Sequence, residues 1–207
     1  MTTEQPSNQL LLSLQAMKSI SKFILWLLGW KIHGGIPEGE KKAVIVAAPH
    51  TSNWDFFLGR FAYFVMEVNV KFLIKKEAFK WPLGGLFKAW GGIPIDRGRS
   101  SNMVEQVAGL FQEHESLYIV ITPEGTRSLV SKWKKGFYYI ALRAKVPIAL
   151  AYIDYKKKEG GIGPTIHPSG DYEKDLALIE DFYKDKTARH PAKFNLSPQN
   201  RNKKNNK

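Results

Sequence analysis

The sequence predicts an α/β fold: a mostly parallel or mixed sheet flanked by helices, preceded by an N-terminal amphipathic helix that lies in a membrane interface. Three observations carry that prediction. Short apolar runs of strand length alternate with stretches of helical period, a pattern that builds a sheet covered on both faces. Three polar, turn-forming clusters leave the ends of those apolar runs, and in α/β sheets sites gather at strand carboxyl ends. A chain of 207 residues, 43% hydrophobic and without cysteine, must hold one core without disulfides; at this length roughly 70% of the unfolded surface can be buried. The missing cysteine also removes thiolate metal sites and a cysteine nucleophile.

The first element spans Leu10 to Trp30. Gln15, Lys18, Ser19 and Lys22 interrupt its apolar residues at i, i+3, i+4 and i+7, so they form one polar stripe on a helix. The longest unbroken apolar run is Phe23 to Leu28. A spanning helix wants about 20 apolar residues, and each lysine near its centre would cost about 3 kcal/mol. The expected arrangement is therefore an interfacial helix with Trp26 and Trp30 at headgroup level; a helix packed on the protein's own core is the alternative. No cleavable signal peptide is expected, because Glu4 occupies the place of a basic leader and no small-residue cleavage site follows.

After the Gly34-Gly35 and Pro37 to Gly39 breaks, Ala43 to Ala48 reads as a buried strand. A helix follows over Trp54 to Val68, then a strand over Val70 to Ile74 and a short helix over Pro82 to Trp90, with the proline in its first turn. Ile93 to Ile95 is a strand fragment. Ser100 or Ser101 caps a helix reaching about His114. Leu117 to Ile121 is the clearest strand, followed by a helix over Lys135 to Lys145 and a strand over Pro147 to Tyr155. A hairpin-like piece over Gly160 to Ile166 and a helix from Tyr172 to about Lys186 complete the pattern. Residues 1–34 form the interfacial helix segment, 35–190 the main domain and 191–207 a basic tail; the Asn- and Lys-rich stretch from Asn195 to Lys207 is expected to be disordered.

Charge limits the partners. Lys+Arg 31 against Asp+Glu 19 gives +12, and six bases without an acid lie from Arg189 to Lys207. Nucleic acid, anionic lipid and phosphorylated small molecules all fit a surface of that sign.

The first polar cluster is Pro49-His50-Thr51-Ser52-Asn53-Trp54-Asp55, between a strand and a helix. A carboxylate folded back onto an imidazole fixes its tautomer and raises the basicity of the other nitrogen. The blander function of Ser52, Asn53 or Asp55 is to cap the next helix. The second cluster comprises Lys75-Lys76-Glu77 and Gly91 to Arg99, where Arg97 could fork onto a phosphate. The third is Thr122-Pro123-Glu124-Gly125-Thr126-Arg127-Ser128. A glycine, two hydroxyls and an arginine in one loop suit a phosphate, while the P-loop pattern is absent.

Together these clusters resemble the glycerolipid acyltransferase family, typified by 1-acylglycerol-3-phosphate (lysophosphatidate) acyltransferases. The His-x4-Asp block is matched by His50 and Asp55, and Gly-Ile-x-Ile-Asp-Arg by Gly92 to Arg97. Pro-Glu-Gly-Thr-Arg-Ser is matched by Pro123 to Ser128, and a Val-Pro-Ile strand by Val146 to Ile148. Pro49 stands where the commonest members carry Asn, and Thr122 where they carry Phe. The resemblance implies transfer of a fatty acyl group from acyl-CoA or acyl carrier protein to a phosphorylated glycerolipid, with membrane phospholipids and a lysolipid acceptor as partners. It implies His50 as base, Asp55 as its orienter, and Lys75, Arg97, Glu124, Gly125, Thr126, Arg127 and Ser128 as substrate-binding residues. No metal and no cofactor beyond the acyl donor are expected, and the location implied is peripheral, on the cytoplasmic face of a membrane. A nucleic-acid-binding protein is the rival class, supported by charge alone; a hydrolase lacks its Gly-x-Ser-x-Gly elbow.

Overall fold

The computed structural model describes residues 8–79, 84–95 and 100–196. In chain order the elements are α1 (Asn8–Leu27), β1 (Lys31–Gly34), β2 (Lys42–Ala48), α2 (Asn53–Val65), β3 (Val70–Lys75), α3 (Gly84–Ala89), β4 (Gly92–Ile95), α4 (Ser100–Glu113), β5 (Leu117–Ile121), α5 (Gly136–Ala144), β6 (Ile148–Asp154), β7 (Glu159–Ile166) and α6 (Tyr172–Tyr183). The expected α/β sheet is present, with seven strands in the order β1-β7-β6-β2-β5-β3-β4. β6, β2, β5, β3 and β4 run parallel. β7 returns antiparallel to β6, and β1 pairs parallel with β7, so the sheet is mixed.

Central strands covered on both faces read as continuous apolar runs, and β2 shows it: Val44, Ile45 and Val46 are all fully buried. Val44 and Val46 join Ile119, Ile148 and Leu150 in a core built with α4, α5 and α6, including Phe111, Phe137, Ile140 and Ile179. Ala43 and Ile45 face the other way, with Val70, Val120 and Ala149 against Tyr63 of α2. α1 packs on α2 from outside that layer, through buried Ser21 and Leu25 and an ion pair from Lys18 Nζ to Glu67 at 2.5 Å.

Three features differ from the sequence expectation. β1 is a strand where only a break was expected. Its side chains are mostly exposed, so no apolar pattern announces it; it exists because β7 supplies a partner at close range. A Cβ on Gly161 would stand 1.9 Å from the His33 carbonyl oxygen, and one on Gly34 would stand 1.9 Å from that of Ile162. Second, the chain stays packed beyond the expected start of the disordered tail. Residues 191–193 make a 3-10 turn, the Asn195 carbonyl accepts a bond from Trp133 Nε1, and Leu196 is buried. Two aromatic and aliphatic side chains, Phe194 and Leu196, reach the core, which outweighs the polar composition around them; residues 197–207 lie outside the described set. Third, Trp30 sits edge-on to Tyr155 with ring centroids 5.1 Å apart and is half-buried, so part of its ring packs on the protein. Pro82, Arg97 and the side chains of Ser100 and Ser101 also lie outside the described residues.

Candidate active site

The carboxyl ends of β2, β5, β3 and β6 open on one edge of the sheet, and the loops leaving them build the site. Ser52 ends the β2–α2 loop as N-cap of α2, accepting the Trp54 N–H, while the Asp55 side chain reaches back to the Ser52 N–H in a capping box. The capping function and the catalytic one fall on the same carboxylate. Asp55 Oδ2 accepts the N–H groups of Thr51 at 2.6 Å and Ser52 at 2.8 Å, and His50 Nδ1 stands 3.6 Å from it. Tyr155, at the end of β6, donates its hydroxyl to Asp55 Oδ1 at 2.6 Å. Burial alone would raise the pKa of this carboxyl. The hydrogen bonds from His50, Tyr155, Ser52 and Thr51 outweigh burial, and the pKa is lowered.

Glu124, leaving β5, is 2% exposed, and its Oε1 accepts the His50 backbone N–H at 2.9 Å. The second oxygen is buried without a hydrogen-bond partner. Burial pushes its pKa up to about 7, with the His50 N–H foremost among the contacts opposing the rise. Glu124 therefore braces the backbone under the histidine and does not line the cavity.

Gly125 turns the β5 loop with a φ of +63°, in the left-handed region that favours glycine, and a Cβ there would have to displace the end of the Lys134 side chain. Beyond it Thr126, Arg127 and Ser128 are exposed. Thr126 Oγ1 accepts the Ser128 N–H, and Arg127 Nη1 donates to Asn53 Oδ1. A cavity of about 550 Å³ opens here, with His50, Asp55, Gly125, Arg127 and Lys134 among its polar lining. Its apolar walls include Phe56 and Tyr63 of α2 and Met66 at its C-cap, with Phe72 and Val120 of the sheet.

The structure thus brings His50, Asp55, Gly125 and Arg127 to one cavity, with Glu124 behind the histidine. Lys75 ends β3 as an exposed side chain away from the cavity lining. Tyr155, Asn53 as a partner of Arg127, and Lys134 are site residues that sequence reasoning missed. The one signal for Tyr155 is its place at the end of a buried strand. The Thr51 and Ser52 hydroxyls accept the N–H groups of His190 and Trp54 and so help hold the loop. Among the described residues no group of three or more His, Asp and Glu side chains could hold a metal ion. The arrangement can take a proton from a bound hydroxyl at a pocket that is apolar within and cationic at its rim.

A family model described as Acyltransferase matches residues 30–153. Curated 1-acyl-sn-glycerol-3-phosphate acyltransferases of Limnanthes alba and Cocos nucifera are each 30% identical, over 62% and 61% of this chain and 47% and 42% of their own. The chain thus spans less than half the length of those relatives. The crystal structure of the 1-acyl-sn-glycerophosphate (LPA) acyltransferase PlsC from Thermotoga maritima superposes with a TM-score of 0.57 at 18% identity, over 85% of this chain and 81% of that one; that likeness is one of fold.

Proposed function

Because the chain belongs to the Acyltransferase family, we propose that it transfers a fatty acyl group from an acyl thioester to the free hydroxyl of a phosphorylated lysolipid, with lysophosphatidate, the acceptor in its relatives' names, first among the candidates. The observation that carries this reading is the meeting of His50 and Asp55 at an apolar cavity whose lining includes Arg127. With Nδ1 turned to Asp55, Nε2 of His50 is left to take the acceptor's hydroxyl proton as that oxygen attacks the thioester carbonyl carbon. The C–S bond then breaks, and the departing thiolate takes the proton from His50. Asp55 stabilises the imidazolium in between. The acyl chain occupies the apolar part of the cavity, and the acceptor phosphate pairs with Arg127, already oriented by Asn53. Lys134 adds a cation beside it, and Arg97 and Lys75 remain assigned to the same phosphate by their motif.

The same reading makes the protein peripheral on the cytoplasmic leaflet, where α1 meets the lipid. Phe23, Trp26 and Leu27 are 60%, 72% and 67% exposed, an apolar face suited to an interface. Among the described residues no helix is long and apolar enough to cross a membrane.

The test is transfer of labelled acyl groups, from acyl-CoA and from acyl carrier protein, to a panel of lysolipids that differ in headgroup. Lysophosphatidate should be acylated, and His50→Ala should lower the rate by about 10²–10⁴-fold with an unchanged thermal midpoint. Absence of transfer to every acceptor, or a His50→Ala rate near wild type, overturns the reading.

A further inference from the structure

We propose that Tyr155 is a positioning residue for the His50–Asp55 pair, its hydroxyl fixing the plane of the Asp55 carboxylate that faces the histidine. The inference rests on the function proposed above and adds a residue that the matched family stretch, ending at residue 153, does not contain.

The two oxygens of Asp55 divide their partners. Oδ2 serves the loop and the histidine, through Thr51 N, Ser52 N and the 3.6 Å approach of His50 Nδ1. Oδ1 is held by Tyr155 at 2.6 Å. Rotation about the terminal torsion of an aspartate is soft, and contacts at one oxygen leave the plane free to tilt. A second anchor on the other oxygen removes that freedom and keeps Oδ2 aimed at His50.

Tyr155 is itself fixed from three sides. Its backbone N–H donates to the Thr187 carbonyl at 2.9 Å, its ring meets Trp30 edge-on, and the Arg189 guanidinium lies 5.8 Å from the ring centroid. Arg189 also lies 5.5 Å from the Trp54 ring, and the next residue, His190, donates its N–H to Thr51 Oγ1 at 3.2 Å. The segment after α6 therefore straps the β2–α2 loop and the end of β6 together. Burial, then the Asp55 carboxylate, raises the pKa of the phenol against the opposing pull of Arg189, so the hydroxyl stays protonated and acts as a donor. The ionisable and charged groups around Asp55 are His50 from the same loop, Tyr155 just past β6, Arg189 from the segment after α6 and Glu124 from the β5 loop.

Tyr155→Phe removes the one oxygen and keeps the ring against Trp30. Two readouts are followed on the full chain: the carbon-13 carboxyl titration of Asp55, and steady-state acyl transfer to lysophosphatidate. The expected result is an upward move of the Asp55 titration midpoint, together with a fall in kcat of about tenfold, as for a lost hydrogen bond to a charged group, at unchanged acceptor KM. An Asp55 titration that does not move overturns the inference, whether or not kcat falls, because a merely structural loss would lower activity without touching the carboxyl. A wild-type protein that shows no acyl transfer, but whose Asp55 midpoint moves in Tyr155→Phe, sinks the proposed function and leaves the positioning intact.

Discussion

Asp55 and Glu124 are two buried carboxyls on either side of one histidine, and their surroundings drive them in opposite directions. Asp55 has donors on both oxygens, and its pKa is lowered despite burial; Glu124 has the His50 N–H on one oxygen and nothing on the other, and burial takes it to about 7. A lowered carboxyl adds stability above its unfolded pKa and loses it as pH falls through the folded one, whereas a raised carboxyl is favourable below its unfolded pKa and loses that contribution as pH rises through the folded one. Glu124→Gln keeps an oxygen for the His50 N–H but cannot ionise. Its stability relative to wild type should therefore climb between about pH 4.5 and 7, by up to about 3 kcal/mol. Urea unfolding of both proteins at pH 4.5 and pH 8 measures the change; a difference that is flat with pH would show that Glu124 does not titrate in this range.

At the scale of elements, α1 holds to the protein by a narrow line. Ser21 and Leu25 are buried, Lys18 pairs with Glu67, and Lys158 Nζ donates to the Leu28 carbonyl beyond the helix end. The opposite face carries Phe23 and Leu27 into solvent, where Phe23 meets only the exposed Trp26 ring among the aromatics, so charges there leave the buried contacts of α1 in place. Phe23→Asp with Leu27→Asp removes two insertions, each worth about 1.5–3 kcal/mol if fully buried, and should release the protein from vesicles at high salt while the thermal midpoint holds. Vesicle flotation decides it: a double variant that still floats at high salt removes α1 as the anchor. Comparison with β1 is instructive. α1 is legible from its own period, while β1 has no pattern of its own and owes its existence to two glycines, Gly34 and Gly161, that let its backbone approach β7.

For the molecule as a whole, the net charge of +12 is a long-range attraction that any anionic surface satisfies, and it separates cleanly from apolar insertion by its salt dependence. Each base near an anionic leaflet contributes about 1 kcal/mol. Binding should therefore be stronger to vesicles containing phosphatidylserine than to pure phosphatidylcholine, and the gap should close as salt rises, leaving the part due to α1. Equal binding to both vesicles at low salt would show that the basic surface faces away from the bilayer.

The order of strands and helices, the loops that carry chemistry and the His50–Asp55 pairing are legible in the chain itself, because apolar period, turn residues and an i, i+5 spacing are local properties. The capping box is local too, which is why Ser52 and Asp55 could be read as helix caps and as site residues and turn out to be capping partners in a site. What tertiary structure alone decided lies across long separations: Glu124 under the His50 N–H, 74 residues away, Arg127 against Asn53, also 74 away, and Tyr155 on Asp55, 100 away. Those contacts follow from β2 lying between β5 and β6 in the sheet, which sets three strand ends side by side. No local pattern encodes which strands become neighbours, because that choice is made by burying both faces of the sheet at once.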